Sequence, residues 1–227
     1  MKFHSGHKSV LIAFIILILP ILFIVMIRSG KGVYDSLPYF GDTKIENGDT
    51  LYHKVPPFDL TTSSKDKVPA TAVIKDRFYL AHFFPEDCGK DCLKMFIDYR
   101  QVQEYTVDMD NFVLLSIMVG NEKKETNKAI LKSFLEKTEL EKDNWAFAKV
   151  SKETAKFLQN EAFLIFHQQE SGSKEQQKRI SGAYSVLIDK EGHIRGFYRA
   201  KEYFDLQNLK EDLRVLNYDY EKEFKSQ

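Results

Sequence analysis

Two stretches of this chain are apolar almost without a break, "RFYLAHFF" at 77–84 and "NFVLLSIMVG" at 111–120. A strand with one face in water alternates apolar and polar residues, whereas a near-continuous apolar run of this length is what a strand buried on both faces requires. Two such runs call for a sheet covered on both sides, and the cover has to come from amphipathic segments elsewhere in the chain. Those segments are present. After the first run Cys92, Met95 or Phe96, Tyr99 and Val102 recur at helical spacing, and Ile130, Leu131, Phe134 and Leu135 form a second stripe.

The pattern continues to the end of the chain. "NWAFAKV" reads as a third strand, and Ser151 suits the N-cap of "KETAKFLQ", with Glu153 at the positive end of that helix. "YSVLIDKEGHIRGFYRA" reads as a hairpin turning at Asp189-Lys190-Glu191-Gly192, where the glycine supplies a positive φ. Leu206, Leu209, Leu213 and Leu216 stripe a last helix. Strand and helix alternate three times before the hairpin and closing helix, which implies parallel strands with right-handed crossovers and antiparallel strands at one side. The expected fold class is α/β, a thioredoxin-like central mixed sheet flanked by helices, with one inserted unit.

Upstream of the domain, residues 10–27 carry no charged side chain and, at about 1.5 Å per helical residue, just span a bilayer core. They are expected to form a single-pass transmembrane signal anchor, and Pro20 is tolerable because a lone helix can bend there. A cleaved signal peptide is the alternative reading. Residues 1–9, with Lys2 and Lys8, are expected in the cytoplasm, although Arg28 and Lys31 nearly balance the charge bias. Residues 28–57, rich in Gly, Pro, Asp and aromatic residues without a period, read as a tether. Residues 58–227 then form the domain, held outside the cytoplasm at the cell inner membrane and, in that setting, periplasmic. Lysine plus arginine equals aspartate plus glutamate at 33 each, so the chain lacks the positive field that draws a protein to nucleic acid.

The two cysteines, Cys88 and Cys92, lie four positions apart, between the first buried run and its helix. A disulfide between them closes so small a ring that it removes little entropy from the unfolded chain, which makes a purely structural staple the weakest reading. A helix N-terminus favours thiolate, Lys90 adds to that, and Glu86, Asp87 and Asp91 oppose it. Three residues between the sulfurs, where thioredoxin-type oxidoreductases have two, widen the bite and suit a soft cation held by both thiolates, for which Cu(I) is the natural candidate. No proline follows Pro85, so the ring that thioredoxins place opposite their cysteines is missing.

Taken together, these residues resemble the Sco/SenC family of membrane-anchored, thioredoxin-fold proteins. The resemblance is carried by "LPYFG" after the anchor, "HKVPPFDL" before the first strand, "FYLAHFFPEDCGKDCLKM" around the cysteines and "SVLIDKEGHIRGFY" at the hairpin. Cys88, Cys92 and Met95 meet the family's Cys-x-x-x-Cys-x-x-Met pattern. The resemblance implies binding of Cu(I), reduction of a partner's cysteines, or both, in assembly of the copper site of cytochrome c oxidase. The partner would be the copper-site subunit of that oxidase or another redox protein. Two positions depart from the family. Gly89 and Leu93 stand where prolines follow the cysteines, and Ser181 stands where the family's third copper ligand is a histidine.

His167, at the start of a polar loop leading to the hairpin, is the candidate replacement ligand, with an exposed loop histidine as the alternative. His4 and His7 precede the anchor, His53 falls in the expected tether, His193 is expected as a solvated turn residue, and His82 is expected as a hydrogen-bonded core group. Met95 falls on the apolar stripe and is expected in the core. Three functions stay open: a copper chaperone, an extracytoplasmic thiol-disulfide oxidoreductase without a metal role, and a divergent, non-catalytic binding module.

Overall fold

The computed structural model of the chain describes residues 16–20, 36–46, 48–62, 68–86, 90–120, 144–165, 184–199 and 203–225, with backbone alone at 90–94, 184, 203–204 and 223–225. The chain divides into two units, Met1–Ser36 and Leu37–Gln227. In the first, residues 16–20 are helical with Ile16, Leu17 and Leu19 exposed. Most of the segment expected to cross a membrane, 10–27, lies outside the described residues, and among those described no helix is long and apolar enough to do so.

In the second unit, the run expected as a doubly buried strand is β5 (Phe78–Pro85), buried from Phe78 to Phe84. It is central because both of its edges are used. β5 pairs in parallel with β6 (Phe112–Gly120), Phe78 opposite Phe112 and Pro85 opposite Val119, and antiparallel with β8 (Tyr184–Ile188), Tyr79 opposite Ile188. β7 (Trp145–Ser151) extends the sheet beyond β6 in parallel and β9 (Ile194–Arg199) beyond β8 in antiparallel sense, for an order β7-β6-β5-β8-β9.

The period of two in a strand sends alternate residues to opposite faces, and here both faces are apolar. Leu80, Phe84, Phe112, Leu114, Trp145 and Phe147 point to one core. Onto it pack Met95, Phe96, Tyr99 and Val102 of α2 (Lys90–Tyr105) and Leu209, Leu213 and Leu216 of α4 (Tyr203–Lys225), the two helical stripes expected there. Ala81, Phe83, Leu115, Ile117, Ala148 and Val186 point to a second core. Its cover is α3 (Lys152–Phe157), continued by a wider π turn at Leu158–Ala162. Ser151 caps α3 as expected, its Oγ accepting from the Thr154 N–H at 3.1 Å. On this side lie also β3 (Asp59–Leu60), β4 (Val68–Pro69) and the short α1 (Thr71–Ile74), through Leu60, Val68 and Ala70. The helical stripe expected at 130–135 lies outside the described residues.

The segment 28–57 departs from a plain tether at Leu37. From there the chain is fastened to the hairpin β8–β9 as a strap. Leu37 is buried, Phe40 bridges Ile194, and Lys54 bridges His193. Arg195 holds the strap: its Nε donates to the Pro38 carbonyl at 3.2 Å, its Nη2 to the Leu37 carbonyl, and its guanidinium lies 4.1 Å from the centre of the Tyr39 ring. Between these anchor points β1 (Thr43–Glu46) and β2 (Asp49–Tyr52) form a hairpin. The attachment runs through single residues and carbonyls rather than an apolar period, so hydrophobic patterning does not reveal it.

Leu209 is completely buried between α4 and the sheet. Leu209→Ala should therefore lower unfolding stability by about 3 kcal/mol, the middle of the range for a buried leucine, as a fall in the urea midpoint at unchanged slope.

Candidate functional site

Ligand and redox sites of open α/β sheets form beyond the carboxyl ends of the parallel strands, where the chain turns into the next helix. Here that edge is made by the ends of β5, β6 and β7, and α2 begins four residues after Glu86. Cys92 lies in the first turn of α2, where unpaired N–H groups supply partial positive charge. Cys88, His167 and Ser181 lie outside the described residues, and of Cys92 only the backbone is described.

The strand ends hold a charged pair that sequence patterning does not announce. Lys149, within the otherwise apolar "WAFAKV", has a fully buried side chain, and its Nζ donates to Glu86 Oε2 at 2.7 Å. Glu86 is partly open to solvent, 31% exposed, and sits two residues before Cys88. Its charge, counted from sequence as an opponent of thiolate, is therefore largely offset by a lysine 63 positions away. Gly120 makes room for the pair. A Cβ there would overlap Glu86 Oε2 and fall 2.6 Å from Lys149 Cε. The one sequence clue is a lysine at an inward-facing position of a buried strand, which needs a partner.

Deeper in the sheet, a row of polar residues crosses the face that α2 covers. Ser116, His82 and Ser185 stand directly opposite one another on β6, β5 and β8. His82 is fully buried, as expected for a core group, with Nε2 2.5 Å from Ser116 Oγ, which also accepts from Trp145 Nε1 at 2.8 Å. Tyr99 of α2 stacks on the imidazole with ring centres 4.0 Å apart. Burial pushes the His82 pKa down from its ordinary value to about 3, so the ring is neutral throughout the neutral pH range. Its Nδ1 has no hydrogen-bond partner among the described residues. This is a structural histidine beneath the helix and not a metal ligand at its tip.

The remaining candidates are placed as follows. Met95 is buried in the core under α2, as expected. His53 is bound to the domain, its Nε2 2.9 Å from the Ala162 carbonyl of the π turn. His193 corrects the expectation of a solvated imidazole. Its side chain is 14% exposed, with Nδ1 3.3 Å from Asp189 Oδ2 and the ring edge-on to Tyr39. Asp189, Glu191 and His193 offer oxygen and nitrogen atoms within 4.8 Å of one another. Asp189 is already engaged by the backbone N–H groups of Glu191 and His193 and by Arg195 Nη1 at 3.0 Å, so the group serves as the clamp of the hairpin turn. That clamp lies beside the start of β5, where Tyr79 pairs with Ile188, at the end of the sheet opposite the start of α2.

Two outcomes test this arrangement. The unfolded chain protonates His82 near its ordinary value of 6.5 and the folded chain only near 3. The stability this histidine contributes is thus complete above about pH 6.5 and is lost as pH falls towards 3, by a few kcal/mol, since each tenfold change in proton affinity is worth roughly 1.4 kcal/mol. His82→Asn should flatten that part of a stability-against-pH profile measured by urea unfolding. Gly120→Ala should cost roughly 3 kcal/mol, because displacing Glu86 leaves Lys149 buried without its counter-charge, and the cost should shrink when Lys149→Met is added.

No family model matches the chain, and no curated protein matches it in sequence. Solved structures do. BsSco, a member of the Sco family of cytochrome c oxidase assembly proteins, superposes with a TM-score of 0.54 at 20% identity, covering 75% of this chain and 96% of its own. A SCO1/SenC family lipoprotein from Bacillus anthracis str. Ames gives 0.53 at 20% identity, with coverage of 72% and 94%. The soluble domain of Sco1 from Bacillus subtilis gives 0.50 at 19% identity, with coverage of 71% and 90%. The unit from Leu37 onward thus has the thioredoxin-like fold in the form that Sco/SenC proteins carry.

Proposed function

We propose that this chain is a membrane-anchored Sco/SenC-like protein whose Cys88 and Cys92 bind Cu(I), reduce the cysteines of a partner's copper site, or do both in turn. The reading is supported by the start of α2, with Cys92 in its first turn, just beyond the carboxyl end of β5, and by the Lys149–Glu86 ion pair that offsets the Glu86 charge. Two thiolates at a helix N-terminus suit a soft monovalent cation. Copper is cargo here, and His167 is the proposed third ligand in place of the histidine that Ser181 replaces.

In the reducing mode the electrons balance within the pair. The Cys88 thiolate attacks a sulfur of the partner disulfide, forming a mixed disulfide and releasing one partner thiolate. Cys92 then attacks Cys88, which closes the Cys88–Cys92 disulfide and releases the second partner thiolate. Two electrons leave this chain and two partner sulfurs are reduced. The partner is proposed to be the copper-site subunit of cytochrome c oxidase or another extracytoplasmic redox protein, and the setting the outer, periplasmic face of the inner membrane.

A metal-free thiol-disulfide oxidoreductase is the second reading, favoured by Ser181. Anaerobic titration of the reduced protein with Cu(I) against a competing chelator separates the two. One tightly held copper per chain, abolished by Cys88→Ser, is the expected result, with His167→Ala weakening it if that ligand is used. Loss of copper to the chelator at every concentration removes the metal role and leaves the dithiol as a redox couple.

A further inference from the structure

The ends of β5, β6 and β7 carry a charge arrangement that stability alone does not call for. A buried ion pair is commonly no better for stability than apolar side chains of the same volume, because its charges are taken out of water. Here the burial is unequal. The Lys149 side chain is fully buried and its Nζ meets Glu86 Oε2 at 2.7 Å, whereas Glu86 is 31% exposed. Gly120 leaves the space for this contact, since a Cβ there would lie 2.7 Å from Lys149 Nζ and overlap Glu86 Oε2. The carboxylate is therefore the member of the pair open to solvent, and the lysine beneath it decides how much negative charge it presents.

That charge is close to the thiols by chain length alone. Two trans peptide links hold the Cα of Cys88 within about 7.6 Å of the Cα of Glu86 for any path of the chain. Cys92 lies in the first turn of α2, which starts four residues after Glu86. A reduced cysteine pair carries thiolate charge that its disulfide does not. An uncompensated carboxylate at this range disfavours the reduced pair, and between partly solvated groups the effect on an equilibrium constant is severalfold.

We propose that Lys149 is a positioning residue for the thiol pair: by holding the Glu86 carboxylate it covers the negative charge two residues before Cys88 and keeps the reduced form of Cys88 and Cys92 within reach of weaker reductants. The inference rests on reading the two cysteines as a redox pair, and it names what sets the poise of that pair. No contact between lysine and sulfur is needed, because the lysine acts through Glu86. Asp87, Lys90 and Asp91 add charges of their own, which are the same with and without the lysine.

The test is a redox equilibration of the full chain at pH 7, in detergent and with copper removed by a chelator. Two molecules of reduced glutathione supply the two electrons and two protons that open the Cys88–Cys92 bond to two thiols, and they leave as one oxidised glutathione. Free thiols at each glutathione ratio are counted by maleimide labelling and mass. Lys149→Met should lower the equilibrium constant for reduction about three- to tenfold, a potential lower by roughly 15 to 30 mV. Adding Glu86→Gln to Lys149→Met should restore the wild-type value, because the exposed charge is then gone. Circular dichroism checks the fold of each variant, and removal of both charges together is the change that a buried pair tolerates best. An unchanged potential in Lys149→Met overturns the proposal. So does an equal shift in the single and double variants, which makes Lys149 a packing residue only. Glu86→Gln alone supplies an independent measurement, and a lowered potential there also overturns the proposal. Failure of Cys88 and Cys92 to pair with each other at any glutathione ratio overturns the redox-pair reading and the proposal together, while Cu(I) binding is read separately.

Discussion

Burial of β5 on both faces and both edges sets the frame to which every other element of the domain is fitted. A strand in that position has no solvent side to absorb error, so a shift of one residue in register would exchange the residues of its two cores. The parallel pairing with β6 requires a crossover, which α2 belongs to, and the antiparallel pairing with β8 accepts the closing hairpin. The place where α2 begins follows from where β5 has to stop.

Polar groups buried in this frame divide by charge. The row Ser116, His82 and Ser185 is neutral, held by hydrogen bonds and by the ring of Tyr99, and it stays neutral because burial disfavours the imidazolium. The buried Lys149 lies at the edge, where Glu86 reaches it from a partly solvated position. A charge in the middle of the sheet would have to be matched within the core at high desolvation cost, whereas at the strand end one partner keeps some water. Glu86 stands two residues before Cys88 in the sequence, so the ion pair that packs the strand ends also takes up one of the acidic charges next to the proposed site in the chain.

At the opposite end a second charged device has a different task. Asp189 organises the hairpin turn through two backbone N–H groups and passes its remaining capacity to Arg195, which turns outward to hold the strap by two carbonyls and an aromatic ring. Gly192, with φ of +91°, makes that turn without strain and receives the Val55 N–H on its carbonyl. The carboxyl end of β5, where α2 follows, and the strap held by Arg195 are therefore separated by the length of the sheet.

Elements with a period were legible in the order of residues alone. Uninterrupted apolar runs marked β5 and β6, the 3.6-residue stripes marked α2 and α4, Ser151 marked a cap, and Gly192 a turn. These are local signals, because burial of one element leaves its trace in the spacing of that element's own residues. The cysteine motif, too, could be read as chemistry at a helix start. Folding in three dimensions was needed to fix what depends on partners far apart in the chain: Lys149 with Glu86 in the space left by Gly120, His82 between Ser116 and Tyr99, and Arg195 on a strap that by composition resembled a tether. Each is a single side chain meeting a single group across the fold, and one contact leaves no period for a sequence to show.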